Sequence, residues 1–466
     1  MLKIDQDLFY QYQFLSNLNY NTTKTIAAFV KSSVKDDASG YDQFIWLYEN
    51  GLFRQLTSGG SEGNYFWEDD SNILFIADRE NKKDQLQSDV YRINVFGGEA
   101  IKAFSLPLQI NTIKVLPDHY LVMATVDRAY SDYHLLDEKQ RSDVKKAISD
   151  NEDYQIMDEY PYYFNGAGYI NGKRNNLFLV DKKSLVITSI APVTLDVESF
   201  DVSKNNQTII FSGIDYESFK GKWSQVYEYD ISKGKLDTLY DKADLQIGRV
   251  FYFDDKILLA ATYAKKFGAM EANQFYELEA GKTMLWLDNE GSLYNSVTTD
   301  CRYGKNKNFD NSENRPYFIS VVNSHSELWR LNDKQIEVII AKEGTCDDFS
   351  VSDDHILLIG MYDQKLQEIY RYQDGEYQQL SSFNTNVLSQ RYVAKPQALT
   401  VVKNPFAIDG WVLLPIDYDP SKTYPAILNI HGGPKAAYGE IFFHEMQYWA
   451  SCGYFVFYCN PRGGDG

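Results

Sequence analysis

The feature that most constrains the fold of this chain is a strand-rich unit that recurs about every 50 residues. Each unit holds short apolar or alternating runs separated by turns rich in Gly, Asn and Asp, as residues 25–30 and 72–77 illustrate. After two units that begin near residues 14 and 64, further units open near Leu108, Thr194, Gln246, Thr298 and Cys346. Units of four strands at this period are typical of propeller blades, so the sequence predicts a seven-bladed β-propeller over residues 14–390.

The composition fits a large β protein and narrows the classes of partner. Phe, Trp and Tyr make up 15% of the 466 residues, and aromatic side chains favour strands. The formal net charge of −19 argues against nucleic acid and anionic membranes as partners, because both bind basic surfaces. No apolar run approaches the ~18 residues of a membrane span, and the N-terminus lacks the pattern of a signal peptide. The sequence therefore predicts a cytoplasmic protein.

The four cysteines predict neither a disulfide framework nor a metal site. They stand at positions 301, 346, 452 and 459 and form no C-x-x-C pair. Cys452 and Cys459 lie among apolar residues, so we expect both to be buried and reduced. The segment from His444 to Tyr448 resembles the zinc motif H-E-x-x-H, but a tyrosine replaces the second histidine ligand. No metal and no cofactor are predicted.

Residues 424–464 depart from the repeat and indicate a second kind of fold. Apolar side chains at 427, 428 and 430 predict a strand buried on both faces, as in a parallel sheet. The segment His431-Gly432-Gly433-Pro434 follows, then a predicted helix with apolar residues at 442, 446, 449 and 450, which ends at Gly453. Residues 454–459 predict a second, central strand. Strand, helix and strand form one βαβ unit with parallel strands.

The order of these motifs resembles the prolyl oligopeptidase family of serine peptidases, and its acylaminoacyl-peptidase branch most. The resemblance rests on His-Gly-Gly-Pro at 431–434, a Phe-x-x-Glu-x-Gln helix, Gly-Tyr at 453–454 and Asn-Pro-Arg-Gly at 460–463. The close match covers residues 424–466.

The resemblance implies a mainly β protein in which a propeller precedes an α/β-hydrolase domain. We expect an N-terminal segment over 1–13, the seven-bladed propeller over 14–390 and the start of the hydrolase domain over 391–466. Residues 398–402 and 410–415 predict an antiparallel pair around a turn at Asp409-Gly410.

The site residues come from the same motifs. Two glycines after a strand let backbone N–H groups point at an oxyanion, and the resemblance implies that the Gly433 N–H is such a donor. The alternative is that Gly432 and Gly433 only shape a turn. In this fold the catalytic base follows the nucleophile and the acid along the chain, so His431 is interpreted as a loop-shaping residue and Arg462 as a brace. The supporting loops comprise His431, Gly432, Pro434, Asn460, Arg462 and Gly463.

A catalytic serine is not predicted within these residues. Residues 59–63 match G-x-S-x-G, but a nucleophile elbow needs a strand before it and a helix after it. A strand follows Ser61 instead, so this segment is interpreted as a turn between blades. The family's Gly-x-Ser-Tyr-Gly-Gly motif does not occur in the sequence. The resemblance thus implies that the Ser, Asp and His of the triad lie beyond Gly466, and the chain by itself is expected to be inactive.

A long insertion interrupts the third unit over residues 127–173. Residues 137–148 permit a helix, and an aromatic stretch follows at 160–168. Insertions in repeat folds lie on one face as loops. Two interpretations stay open: a lid or docking element near the hydrolase domain, and a solvated helical excursion.

The predicted function is that of a serine peptidase that hydrolyses short peptides, of the acylaminoacyl or oligopeptidase type. One alternative is a non-catalytic propeller that binds peptides or partners and keeps a degenerate hydrolase remnant. Another is an esterase on the same fold. The sequence leaves open the choice among acylaminoacyl, dipeptidyl and oligopeptidase specificity, and it leaves open a homo-oligomer.

Overall fold

The computed structural model describes residues 1–80, 86–403, 405–433 and 435–466. The chain divides into two compact units. Unit one comprises residues 1–63, 291–310 and 315–466, and unit two comprises residues 64–290 and 311–314. Within the described residues, seven four-stranded antiparallel sheets lie between residues 13 and 379, and a mixed sheet follows them. The chain is therefore mainly β.

The first sheet belongs to unit one and follows a short 3-10 helix, Gln6–Gln11. Its strands lie side by side in chain order: β1 (Gln13–Tyr20), β2 (Ala27–Val34), β3 (Tyr41–Glu49) and β4 (Leu52–Gln55).

Unit two holds the next four sheets. The second sheet has the strands β5 (Asn64–Trp67), β6 (Asn72–Ile76), β7 (Ser88–Asn94) and β8 (Ile101–Leu106). The third sheet begins with β9 (Gln109–Val115) and β10 (His119–Asp127). An insertion then contributes two 3-10 turns (Arg128–Tyr130 and Tyr133–Leu135), the helix α1 (Glu138–Asp150) and a hairpin of β11 (Tyr163–Phe164) and β12 (Gly168–Tyr169). The third sheet resumes with β13 (Lys173–Asp181) and β14 (Ile187–Ser189).

The fourth and fifth sheets complete unit two. The fourth comprises β15 (Leu195–Val202), β16 (Thr208–Asp215), β17 (Gln225–Asp230) and β18 (Lys235–Tyr240). The fifth comprises β19 (Gln246–Phe253), β20 (Lys256–Thr262), β21 (Gln274–Glu279) and β22 (Lys282–Leu287). Two further 3-10 turns in this unit are Gly268–Met270 and Ser312–Asn314.

The remaining sheets belong to unit one. The sixth comprises β23 (Phe309–Asp310), β24 (Tyr317–Val322), β25 (His325–Asn332) and β26 (Gln335–Ile340). The seventh comprises β27 (Thr345–Val351), β28 (Ile356–Met361), β29 (Glu368–Gln373) and β30 (Glu376–Gln379).

The C-terminal mixed sheet has the spatial order β31, β34, β36, β35. In chain order its region contains β31 (Gln397–Ala398), β32 (Val401–Lys403), β33 (Phe406–Ile408), β34 (Gly410–Leu413), β35 (Ala426–Leu428), the helix α2 (His444–Ser451) and β36 (Phe455–Cys459). Strands β32 and β33 form a separate hairpin.

Burial within the seven antiparallel sheets falls from the second strand to the fourth. Every residue of β28 is buried, whereas β30 alternates between exposed and half-buried positions. Strand β16 is buried over most of its length, and β18 is largely exposed. This gradient explains why the continuous apolar runs of the sequence mark second strands, while the fourth strands carry a weaker signal.

Side chains on the first strand of one sheet bind backbone amides on the first strand of a neighbour. In unit two, Ser199 Oγ accepts from Val250 N at 3.2 Å and Asp201 Oδ2 accepts from Tyr252 N at 3.1 Å. In unit one the same spacing recurs, since Asp348 Oδ2 accepts from Leu18 N at 3.1 Å and Ser350 Oγ accepts from Tyr20 N at 3.0 Å. Each contact therefore joins two sheets without a shared strand.

A β-bulge accompanies each of these four first strands. The register shifts between Ser16 and Asn19 in β1, and comparable shifts interrupt β15, β19 and β27. A bulge leaves a residue outside the ladder, and a buried backbone amide needs another partner. Leu18 is such a residue in β1, and its amide donates to Asp348 Oδ2 on β27. The other three amides belong to residues inside the ladders of the edge strands β1 and β19, and they donate to the neighbouring sheet.

Two expectations for strand positions were wrong. The sixth sheet begins at Phe309, not near Thr298, because residues 296–300 bond to the C-terminal region instead. The predicted antiparallel pairing exists, with Ala398 opposite Trp411, but Asp409-Gly410 is not its turn. The β32–β33 hairpin lies between the two strands and makes the connection longer.

Two expectations for burial were also wrong. Leu428 and Ile430 are 56% and 76% exposed, because β35 is an edge strand that pairs with β36 alone in this sheet. Cys452 is exposed and Cys459 half-buried, although both are free thiols as expected. Cys452 follows the last turn of α2, where its amide bonds to Tyr448 O and its side chain faces outward.

Asp348, at the contact between the seventh and first sheets, makes the stability of unit one depend on pH. The residue is fully buried, and burial raises its pKa to about 7, although Lys307 and neighbouring amides act in the opposite direction. An aspartate in an unfolded chain titrates near pH ~4. The contribution of Asp348 to the stability of unit one is therefore complete below that pH, and it is lost as the pH rises through about 7.

We expect the stability of the Asp348→Asn variant not to show this fall as the pH rises. The Tm of the wild type should fall relative to that of Asp348→Asn between about pH 5 and about pH 8, because only the wild type binds the extra proton when folded. The Tm of both proteins is measured by circular dichroism at several pH values. Asp36→Asn, which changes an exposed carboxylate in the turn after β2, is the control and should follow the wild type. Parallel profiles for Asp348→Asn and wild type would contradict the assignment.

Candidate functional site

The strands and the helix of the predicted βαβ unit are present. Strands β35 and β36 are parallel, with Ala426 opposite Phe455 and Leu428 opposite Phe457, and β36 lies between β34 and β35. Helix α2 lies between the two strands in the chain, and Gly453 follows it with a φ of +94°. Parallel strands end at the same edge of a sheet, so the loops that begin at 429 and 460 leave from one edge.

Gly433 occupies a backbone conformation that favours glycine. Its φ is +137°, and a Cβ at this position would lie 2.8 Å from Lys435 N. A Cβ at Gly432 would meet no atom within 4 Å, and its φ is not left-handed, so local space does not demand glycine there. Both residues are exposed, and Pro434 lies outside the described residues. The backbone at 433 therefore has a conformation that glycine adopts without steric cost.

Asn460 holds the loop that contains Gly433. Its Oδ1 accepts from Tyr438 N at 2.7 Å, and its Nδ2 donates to Tyr438 O at 2.9 Å. One side chain therefore satisfies both backbone groups of Tyr438 and ties the loop after β35 to the loop after β36. The sequence placed Asn460 in the supporting loops but did not predict that Tyr438 would be its partner.

Tyr438 is the buried centre of the loop. Its hydroxyl donates to Asn429 Oδ1, and the ring of His431 meets its ring edge-on at a centroid distance of 5.0 Å. Burial raises the pKa of Tyr438 to about 12, so the hydroxyl stays a donor at neutral pH. His431 Nδ1 lies 2.8 Å from Gly432 O, which agrees with a loop-shaping role. Nothing in the motif itself distinguished Asn429 or Tyr438 as functional.

Residues 296–298 form a second attachment for the same loops. Thr298 N donates to Ala437 O at 2.8 Å, and Ala437 N donates to Ser296 O at 3.1 Å. The Ser296 hydroxyl donates to Asp465 Oδ2 at 2.6 Å, while Asp465 N donates to Ala436 O at 3.1 Å. The loops after β35 and β36 are therefore fixed to each other and to a segment more than 130 residues earlier in the chain. Sequence reasoning missed this segment because no local motif marks it.

Asp300 caps helix α2 from a distance. The residue that precedes the helix, Phe443, offers no side-chain cap. Instead Asp300 Oδ1 accepts from His444 N at 2.7 Å and Oδ2 accepts from Glu445 N at 2.9 Å. A carboxylate at this end satisfies two free amides and interacts favourably with the helix dipole.

His444 is a buried structural residue and not an exposed base. Its Nδ1 lies 2.8 Å from the Tyr12 hydroxyl, and burial lowers its pKa, so the ring is neutral at pH 7. Within the described residues, no group of three or more His, Cys, Asp or Glu side chains is arranged to hold a metal ion.

The other sequence-derived residues lie at the surface. Arg462 is exposed and Gly463 has a φ of +87° at the tip of the loop after β36, so bracing by Arg462 stays a prediction. Ser61 is exposed, forms an isolated bridge with Gln43 and is followed by β5, not by a helix, as the sequence predicted. The interpretation of residues 59–63 as a turn between blades stays a prediction. Within the described chain, no helix combines the length and apolar character needed to cross a bilayer.

No family model matches the chain. A curated relative, the uncharacterized peptidase YuxL of Bacillus subtilis, is 25% identical over 469 residues, which cover 96% of this chain and 69% of the relative. An acylaminoacyl peptidase of Pyrococcus horikoshii is similar in structure, with a TM-score of 0.75 and 19% identity, over 100% of this chain and 68% of that one. The β-propeller domain of the Trilobed protease of Pyrococcus furiosus matches 82% of this chain and 99% of its own length, with a TM-score of 0.52 and 14% identity.

The chain therefore shares the fold of these solved structures, one of which is a β-propeller domain, and the curated relative is named a peptidase. These likenesses confirm the resemblance to the prolyl oligopeptidase family of serine peptidases that the motifs at 431–434 and 460–463 indicated.

The two bonds of Asn460 give a test of how the loop is held. Asn460→Ala removes both, and we expect a destabilisation of about 1–3 kcal/mol because the Tyr438 backbone groups lose their partners. Hydrogen exchange read by mass spectrometry should show faster exchange over residues 436–440. Asn460→Asp keeps the acceptor and loses the donor, so its effect should be intermediate. Asn386→Ala, at an exposed position, is the control; exchange as slow in Asn460→Ala as in this control would refute the role.

Proposed function

We propose that the seven antiparallel sheets are the blades of a propeller and that residues 391–466 open an α/β-hydrolase domain of a serine peptidase. In this proposal the complete protein hydrolyses short peptides, of the acylaminoacyl or oligopeptidase type. The observation that carries the proposal is the backbone at Gly433, where a φ of +137° follows a parallel strand and precedes α2. The peptidase relatives support a hydrolase.

The proposed reaction is acyl transfer by a Ser-His-Asp triad located beyond residue 466. The serine oxygen attacks the peptide carbonyl carbon while the histidine takes the serine proton, and the carbonyl oxygen becomes an oxyanion. The Gly433 N–H would donate a hydrogen bond to this oxygen, where negative charge develops. The histidine then gives its proton to the leaving amine, and water releases the acyl group by the reverse sequence.

The loop geometry supports such a donor for a physical reason. Stabilisation of an oxyanion requires an N–H that is already oriented before the reaction, since reorientation during the reaction would cost free energy. The Asn460 clamp on Tyr438 and the Ser296–Thr298 attachment restrict the loop at several points.

A cytoplasmic location and a homo-oligomer stay predictions.

Gly433→Pro in the full-length protein tests the donor directly. Proline has no N–H, and loss of one oxyanion donor lowers kcat by about 10²–10³. Gly433→Ala keeps the N–H but strains the backbone, so its kcat should fall less than that of the proline variant. Turnover of a peptide substrate by folded protein is the measurement. A folded Gly433→Pro variant with near-full turnover would disprove the assignment.

A fluorophosphonate probe separates the proposal from its alternatives. We expect the full-length protein to be labelled at a serine and the 466-residue chain to remain unlabelled, because the G-x-S-x-G match at 59–63 is not a nucleophile elbow. Labelling of the 466-residue chain that a peptide blocks would contradict this, and Ser61→Ala would be examined first. A full-length protein that binds peptides without labelling would favour the non-catalytic alternative, and cleavage of esters but not peptides would favour an esterase.

A further inference from the structure

The insertion between β10 and β13 exposes an unusual number of aromatic and aliphatic side chains. We name residues 150–170 the aromatic loop. Its exposed apolar side chains are between 43% and 69% accessible and include Ile156, Met157, Tyr160, Tyr162, Tyr163 and Phe164. Single exposed apolar residues are normal, but a cluster of them marks an interaction surface.

A buried ion cluster at its base holds the aromatic loop in place. Glu159 is 6% exposed and Arg174 is 1% exposed. The two Arg174 terminal nitrogens lie 3.0 and 2.9 Å from the two Glu159 oxygens, and Arg128 Nη1 lies 2.6 Å from Oε1. Gly172 N also donates to Glu159 Oε2 at 2.8 Å. A buried carboxylate with four polar contacts therefore fixes the middle of the aromatic loop relative to β13 and to the residues that flank the insertion.

The backbone beyond this base is also ordered. Tyr160 N donates to Ser218 O at 2.8 Å, and Lys220 N donates to Tyr160 O at 2.9 Å. The rings of Tyr160 and Phe219 stack at a centroid distance of 6.0 Å. The rings of Tyr163 and Tyr169 meet edge-on across the β11–β12 hairpin. The apolar side chains are therefore presented on a shaped surface, which lowers the entropic cost of binding a partner.

The charge of the aromatic loop has one sign. Residues 150–170 contain five carboxylates, Asp150, Glu152, Asp153, Asp158 and Glu159, and neither Lys nor Arg. Glu159 is used by the ion cluster, and the other four residues are exposed. These carboxylates stand close in sequence to aromatic residues such as Tyr154 and Tyr160. A cation can form ion pairs with carboxylates and can also bind the negative faces of aromatic rings.

We propose that the aromatic loop binds peptide segments in which aromatic or aliphatic side chains alternate with Lys or Arg. The apolar side chains of such a peptide would contact Ile156, Tyr162 and Phe164, and its cations would face the carboxylates at 150–153 and 158. A second copy of the chain fits less well, because two loops of this charge repel each other on a chain of net charge −19. This binding is independent of the peptidase activity proposed above.

The test uses the 466-residue chain and a fluorescein-labelled peptide of alternating Lys and Phe, with fluorescence anisotropy as the readout. The charge variant Asp150→Asn, Glu152→Gln, Asp153→Asn should bind roughly three- to tenfold more weakly, as expected for loss of several exposed charge pairs. Binding to the wild type should also weaken as NaCl is raised to about 0.5 M. A peptide of alternating Glu and Phe should not bind.

The apolar variant Tyr162→Ser, Tyr163→Ser, Phe164→Ser should lose about tenfold or more in affinity, since buried aromatic contacts dominate such surfaces. Phe96→Ser removes a ring that is even more exposed, from the turn between β7 and β8, and should bind like the wild type. Mass spectrometry after the titration verifies that the peptide is intact.

Equal affinity of the wild type and the charge variant, or tight binding of the Glu-Phe peptide, would overturn the proposal. Sedimentation velocity gives a further outcome. Self-association of the wild type that the apolar variant abolishes and that the Lys-Phe peptide does not compete with would assign the aromatic loop to a second copy, and would refute the peptide site.

Discussion

Hydrogen bonds from backbone amides of one first strand to side chains of another are the interaction on which the sheet-rich part of this protein depends. Strands β1 and β19 lie at the edges of their sheets, so some of their backbone amides have no partner within the sheet. An unsatisfied buried N–H costs about 1–3 kcal/mol. Ser and Asp side chains of β27 and β15 supply acceptors for amides of β1 and β19, so these first strands are joined to those of neighbouring sheets.

The same physical requirement organises the C-terminal region. Helix α2 begins without its own cap and takes one from Asp300. The loop after β35 takes backbone partners from Ser296 and Thr298, and the loop after β36 accepts the Ser296 hydroxyl at Asp465. Residues 296–300 thereby link the geometry around Gly433 to the part of unit one that precedes the sixth sheet. A substitution in this segment can alter the geometry of the loop around Gly433, although none of the residues of the segment belongs to the recognised motifs.

The insertion in the third sheet shows a different use of buried charge. Glu159 and Arg174 would be costly to bury singly, but together with the half-buried Arg128 they form a hydrogen-bonded group that fixes a backbone whose other side chains face solvent. Arg174 also lies over the ring of Tyr216 at 3.5 Å, which places an apolar partner on its remaining face. In this insertion the charged groups are buried and the aromatic side chains are exposed, which is the reverse of an ordinary hydrophobic core.

The sequence determined the features that depend on local pattern. Apolar runs located the second strands β2 and β6, and Gly453 marked the end of α2. Spacing of His-Gly-Gly-Pro and Asn-Pro-Arg-Gly indicated the loops around Gly433. These predictions succeed because side-chain period and turn chemistry act within a few residues.

Tertiary structure decided what depends on distant partners. Leu428 and Ile430 have the apolar character of a buried strand, yet their exposure follows from the edge position of β35. The β32–β33 hairpin displaced the predicted turn, and the amides of α2 found a cap at Asp300. The roles of Asn460, Tyr438 and Ser296 rest on hydrogen bonds between segments far apart in the chain. A local pattern carries no information on which remote backbone group will need a partner, since that need arises only when the strands have come together.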